Sequence, residues 1–252
     1  MGILGKPYLD LDKHLNIAAV KELNAELLEG LTLAKKKMAF YGTGLLRGPE
    51  DRGLRDYSEV LAELKATGVI QSLVQRFPDL DQMREYIALK YKAATFGQVV
   101  SLRETFDGGY DGISYAKCNR TTKEAELFPK LMALLKTLPF QEIGRVEIFL
   151  SSANSVGRMH TDGTVNDRKR LSHEFIYFRS NLDKPFYVYD PETKVKSAIA
   201  SHTAWFNSLE PHGYDRVPYQ TFSFRVDGFF TEEFRQRIGL ATEVNPSAEY
   251  LL

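Results

Sequence analysis

The sequence predicts an α+β protein whose mostly helical N-terminal half is followed by short antiparallel strands forming a sandwich or barrel of jelly-roll type. Three observations lead there. Apolar residues recur at helical spacing through much of the first 140 positions, and from Val146 the period changes to two. The later apolar runs follow one another across Gly, Pro, Asn and Asp clusters with no helix between them. With 252 residues, 43% hydrophobic and 26% charged, the chain is long enough for one large core. The expected organisation is a helical region over 1–140 packed around the core, a strand-rich core with a closing helix over 141–240, and a tail over 241–252.

Ile17, Val20, Leu23, Leu27, Leu28, Leu31 and Leu33 place one or two amphipathic helices within residues 15–38. Lys35, Lys36 and Lys37 stand at their C-terminal end, where cations suit the helix dipole. Residues 41–44 and 47–53 are Gly-rich and read as loop, too irregular for a phosphate cradle. Helical spacing returns over 57–67, 69–76 and 80–95, with Phe77-Pro78-Asp79 as a break and N-cap signal. Val99, Val100 and Leu102 alternate imperfectly before a turn-rich stretch at 107–112. Thr121 or Thr122 can cap a last helix over 123–138, stopped by Pro139. Strands are then expected at 146–150, 173–179, 186–189, 194–200, 203–207 and 220–226, and a closing helix at 231–238.

Thirty-three basic and thirty-three acidic side chains leave no net field to attract nucleic acid or an anionic membrane. The partner expected is a small-molecule substrate, and the neutral balance is compatible with a homodimer. The single cysteine, Cys118, can form neither an internal disulfide nor a multi-thiolate metal site. The first residues lack a long apolar leader, Lys6 stands where a myristoylation signal wants Ser or Thr, and no run is long and apolar enough to span a bilayer. A cytoplasmic, reducing compartment is expected.

The stretch that carries chemistry is Gly157-Arg158-Met159-His160-Thr161-Asp162-Gly163. On an extended segment His160 and Asp162 point to the same side, offering a metal one nitrogen and one oxygen. If His212, in Glu210-Pro211-His212-Gly213, folds back beside them, the three form a 2-His-1-carboxylate facial triad for Fe(II). His173 and His202 are the competing distal ligands. Thirteen residues beyond His212, Arg225 lies on the alternating run 221–227. A guanidinium in an apolar wall requires an anionic partner, which could be a bound carboxylate or the neighbouring Asp227. Phe175, Tyr177 and Arg179 share one strand face, Ile176 and Phe178 the other, and either face could be inward. Trp205 and Asn207 could be core or pocket wall.

The order His160-x-Asp162, then His212, then Arg225 resembles the Fe(II)/2-oxoglutarate-dependent oxygenase superfamily over about residues 146–230. The resemblance implies a double-stranded β-helix (cupin-like) core. It implies that His160, Asp162 and His212 hold Fe(II), that Arg225 binds the far carboxylate of 2-oxoglutarate, and that O2 is consumed. A further resemblance, to the aspartyl/asparaginyl hydroxylase and cis-proline hydroxylase branch, is carried by Arg170-Leu171-Ser172-His173 and Ala204-Trp205-Phe206-Asn207. It makes Arg170 and His173 candidate cosubstrate contacts, although Arg170 also belongs to the charged run 167–170 of a kind usually solvated, and Arg225 lies further past the distal histidine than that branch places it. The activity implied is hydroxylation of an unactivated C–H bond in a small polar substrate such as an amino acid or its derivative. The alternatives are a peptidyl or protein side chain as substrate, a non-catalytic cupin-like carboxylate-binding protein, and a zinc hydrolase, in which Arg225 would have no role.

Overall fold

The computed structural model describes residues 2–36, 41–43, 55–77, 80–94, 97–104, 120–151, 157–162, 174–215 and 217–240. Strand β1 (Tyr8–Asp10) precedes helix α1 (Ile17–Lys36), β2 (Tyr41–Thr43) and β3 (Arg55–Asp56). Helices α2 (Tyr57–Ala66), α3 (Val69–Arg76) and α4 (Leu80–Tyr91) follow, then β4 (Ala93–Ala94), β5 (Gly97–Glu104) and β6 (Arg120–Thr121). A 3-10 segment (Lys123–Leu127) and α5 (Pro129–Leu135) lead into β7 (Phe140–Ser151), β8 (Gly157–His160) and β9 (Phe175–Phe178). The chain continues through β10 (Phe186–Asp190), β11 (Val195–Ala198), β12 (Thr203–Phe206), β13 (His212–Tyr214) and β14 (Thr221–Phe230), and α6 (Glu232–Arg237) comes last. None of the described helices is long and apolar enough to cross a membrane.

Helix α1 forms as its spacing predicts: Val20, Leu23, Leu27, Leu31 and Ala34 make one buried stripe, while Leu28 remains exposed. The single helix expected over 123–138 is instead two pieces. Pro129 disfavours helical backbone at Phe128, which sits at φ −133° and ψ 55°, and itself occupies the first turn of α5. Glu26 of α1 then accepts hydrogen bonds from the Lys130 and Leu131 N–H groups of that turn, fixing α5 against α1. Thr231 caps α6 through its side chain, which accepts from the Phe234 N–H.

Two antiparallel sheets carry the C-terminal half. The larger runs β1-β12-β9-β14-β7-β5-β2, with β6 paired to β5, and the smaller runs β11-β10-β13-β8. From β7 onward the chain alternates between them: β7 large, β8 small, β9 large, β10 and β11 small, β12 large, β13 small, β14 large. The N-terminal half is less purely helical than its periodicity suggests, because β1, β2, β5 and β6 extend the large sheet across residue 140. Residues 41–43 are strand β2 rather than loop, and the imperfect alternation around Val99 has a cause: the β5–β7 register shifts between Ser101 and Arg103.

Register sorts the large sheet into two faces. Phe224 lies opposite Phe178, and these rings stack at 4.5 Å on the face that also buries Ile148 and Val226. Arg225 lies opposite both Tyr177 and Glu147, so Phe175, Tyr177, Ser223, Arg225 and Asp227 share the other face, toward the small sheet. Phe186 of the small sheet meets Tyr177 at 4.7 Å and Phe206 at 5.3 Å across that interior. The strand-face ambiguity at 175–179 is thereby resolved. Trp205 packs away from this interior, edge-on to Phe230 at 5.4 Å, and is core.

Gly228 sits where the β14–β7 register shifts, and a Cβ there would stand 2.4 Å from Glu142 O and 2.7 Å from a Phe140 ring carbon. Gly228→Ala is expected to destabilise the protein by about 1–3 kcal/mol, as overpacking does. Urea denaturation checks this, and an unchanged midpoint would show that the strand can yield there.

Candidate metal centre

His160 ends β8 and His212 begins β13, and the two are direct cross-strand partners. Antiparallel partners project to the same face, which brings their rings to 4.5 Å between centroids. Asp162 lies two residues beyond His160, just after the strand, and its N–H donates to Ser208 O at 2.8 Å. The connection between β12 and β13 thus holds Asp162 by one carbonyl and His212 by another, since Glu210 O lies 2.8 Å from His212 Nδ1. With Nδ1 turned to Glu210 O, Nε2 is the ring nitrogen of His212 that faces Asp162, the orientation a ligating histidine needs.

Asp162 Oδ1 lies 3.7 Å from His160 Nε2 and 3.5 Å from His212 Nε2. One potential ligand atom from each of the three residues lies within 4.8 Å of the others. His212 is buried, walled by Phe186 and Phe206 with ring centroids at 5.8 and 5.1 Å, whereas His160 is about a third exposed. The cluster therefore meets solvent on the His160 side.

The second carboxylate oxygen of Asp162 is held by Arg225, with Nη1 to Oδ2 at 2.9 Å. Arg225 also donates from Nε to Asp227 Oδ1 at 2.6 Å and lies over the Phe175 ring at 3.8 Å. Asp227 in turn accepts from Arg145 Nε at 2.9 Å, and Arg145 approaches Glu147 at 3.3 Å. Among the described residues, two guanidiniums face three carboxylates here, an arrangement that favours a cation. Burial pushes the Asp162 carboxyl up, but attraction to His212, Arg225 and His160 outweighs it and holds the group well below the usual carboxylate range.

A carboxyl whose folded pKa is depressed adds stability above its unfolded value and loses it as pH falls toward the folded one. In metal-free protein, Asp162→Asn is therefore expected to flatten part of the loss of thermal stability below the ordinary aspartate value of 3.8. Parallel melts of variant and parent across that range provide the check. Identical acid profiles would show that the ion pair adds nothing.

The sequence-predicted residues His160, Asp162, His212 and Arg225 thus converge. Asp227 is an observed partner of Arg225, and Arg145 and Glu147 join the same cluster without any signal in the linear pattern, since 78 or more residues separate them from Arg225 and only strand register makes them neighbours. His202 is no competitor for the distal ligand: its Nδ1 lies 2.8 Å from Arg179 O and its backbone is bound by Asp12, apart from the triad. Arg170 and His173 lie outside the described residues.

No protein-family model and no curated protein matches the sequence. Among solved structures, the chain is similar to an oxidoreductase of the 2OG-Fe(II) oxygenase family from Burkholderia pseudomallei, at 13% identity over 52% of this chain and 68% of that one, with a TM-score of 0.34. It is similar to a Pseudomonas putida prolyl-4-hydroxylase at 11% identity over 54% and 72% of the two chains, TM-score 0.31. A viral collagen prolyl hydroxylase from Paramecium bursaria Chlorella virus-1 matches at 10% identity over 43% and 75%, TM-score 0.28. These likenesses are too loose to assign residue roles, which rest on the geometry of the chain itself.

Proposed function

We propose that this protein is a non-haem Fe(II)- and 2-oxoglutarate-dependent dioxygenase that hydroxylates a small polar substrate of the amino-acid class, in the cytoplasm. The observation that carries the reading is the convergence of His160, Asp162 and His212, two imidazoles and one carboxylate, at the end of a two-sheet sandwich. This donor set suits a divalent iron held on one face by three protein ligands. The alternation of β7 to β14 between the sheets supports reading the core as a double-stranded β-helix.

Fe(II) with 2-oxoglutarate and O2 supplies the oxidation of a C–H bond, coupled to decarboxylation of the keto acid to succinate. The chain provides placement. His160, Asp162 and His212 would hold the metal. Glu210 O orients His212, and Arg225 occupies Asp162 Oδ2, so that Oδ1 is the oxygen turned to the histidines. Phe175, Phe186 and Phe206 wall the buried side and exclude water there, leaving the His160 side for substrate.

The test is succinate formation from 2-oxoglutarate under air with Fe(II) and ascorbate, with and without a panel of amino acids. Slow turnover without substrate, accelerated by at least one panel member, is the expected result. If the protein binds 2-oxoglutarate and forms no succinate with any of them, the non-catalytic carboxylate-binding reading replaces this one.

A further inference from the structure

Among the described residues, the interior between the sheets is charged differently at its two ends. Its triad end groups two guanidiniums with three carboxylates. Its other end holds two buried cations that pair with no carboxylate among the described residues, Arg179 and Lys184, with side chains in residues 2% and 3% exposed. Arg179 needs no further ligand: its guanidinium donates to the carbonyl oxygens of Lys184, Ile199 and Ser201. Lys184 is different. Its Nζ donates to Ser223 Oγ at 3.1 Å and stands 4.6 Å from the centre of the Tyr214 ring. An ammonium has three N–H donors, and a buried one with a single hydroxyl acceptor is expensive to keep charged. Burial, with Arg179 adding repulsion, lowers the Lys184 pKa to about 7. Beside it, burial pushes the Tyr177 phenol up to about 12, and its hydroxyl lies next to Ser223 outside regular hydrogen-bond geometry. Lysine, serine and tyrosine thus surround one buried point with donors, and no anion stands beside it among the described residues.

This point faces the triad. Ser223 and Arg225 share a face of β14, and Tyr214 and His212 share a face of β13, two residues apart, or about 7 Å along the strand. Arg225, meanwhile, already engages two aspartates. We infer that Lys184, with Ser223 and Tyr177, forms the subsite for the far carboxylate of 2-oxoglutarate, and that Arg225 is a positioning residue for Asp162. The inference rests on the proposed dioxygenase function. A dicarboxylate keto acid laid along this interior would place its chelating end on the cation held at the triad and its free carboxylate at Lys184, so that each carboxylate meets a positive charge. The carboxylate also supplies the acceptor that the ammonium lacks.

Calorimetry under anaerobic conditions tests this, with Mn(II)-loaded protein titrated with 2-oxoglutarate or with 2-oxobutanoate, which lacks the far carboxylate. Lys184→Met is expected to weaken 2-oxoglutarate at least tenfold, leaving Mn(II) and 2-oxobutanoate affinity unchanged, and Ser223→Ala to weaken it by a smaller factor. The parent should take up protons on binding 2-oxoglutarate above pH 7, seen as a binding enthalpy that depends on the buffer, and Lys184→Met should not. Removal of a buried charge should leave the melting temperature equal or higher, so a folding defect is recognisable, and Ser223→Ala then decides the matter. Full 2-oxoglutarate affinity in both variants overturns the inference alone. Absence of 2-oxoglutarate binding by the Mn(II)-loaded parent overturns the inference together with the proposed function.

Discussion

Asp162→Ala is expected to abolish Fe(II) binding and succinate formation while leaving the protein folded. Asp162 supplies the one carboxylate grouped with both imidazoles among the described residues, at 3.7 and 3.5 Å, and its removal leaves a two-histidine site with no anionic ligand. The loss of metal affinity should exceed the roughly 10–100-fold typical of removing an outer partner. The fold should survive because the side chain is 27% exposed at the end of the sandwich and Arg225 keeps Asp227 as its partner. His160→Ala and His212→Ala should behave alike in turnover but differ in stability, His212 being packed between Phe186 and Phe206 and His160 facing solvent. Metal titration followed by circular dichroism of the same samples measures both quantities. Retention of stoichiometric Fe(II) by Asp162→Ala would remove the aspartate from the site.

Arg225→Met has the second-largest expected effect, and it separates two roles. As the partner that fixes Asp162, Arg225 should on removal weaken Mn(II) binding by about 10–100-fold. It should also destabilise the protein by about 3 kcal/mol, the lower end of the range for breaking a buried pair, because Asp227 retains Arg145. Mn(II) titration and urea denaturation report these. A variant that binds metal normally and loses only 2-oxoglutarate affinity would instead make Arg225 the carboxylate anchor, as its place in the linear pattern implies.

Much of this architecture was legible in the sequence because it follows from periodicity. Helices α1, α2 and α3 lie close to where apolar spacing puts them, and β10, β12 and β14 where alternation puts them. The segments that escaped are those too short to show a period, such as β1, β2 and β13, or those whose period a register shift breaks, as in β5. The triad was legible because two of its members stand two residues apart on one extended segment and the third follows a strand. The cluster around Arg225 was not, apart from Asp227: Arg145 and Glu147 reach it only because β7 pairs with β14. Lys184 carried no signal at all, since a lysine between Asp183 and Pro185 reads as an exposed turn, and only the closing of the two sheets over it makes it a buried cation.

The central claim is that His160, Asp162 and His212 hold one metal ion, and anomalous diffraction from crystals grown with Mn(II) tests it most directly. A single strong peak within bonding distance of His160 Nε2, a carboxylate oxygen of Asp162 and His212 Nε2 is the result expected. Mn(II) bound elsewhere, or no peak at these three residues at saturating Mn(II), would contradict it.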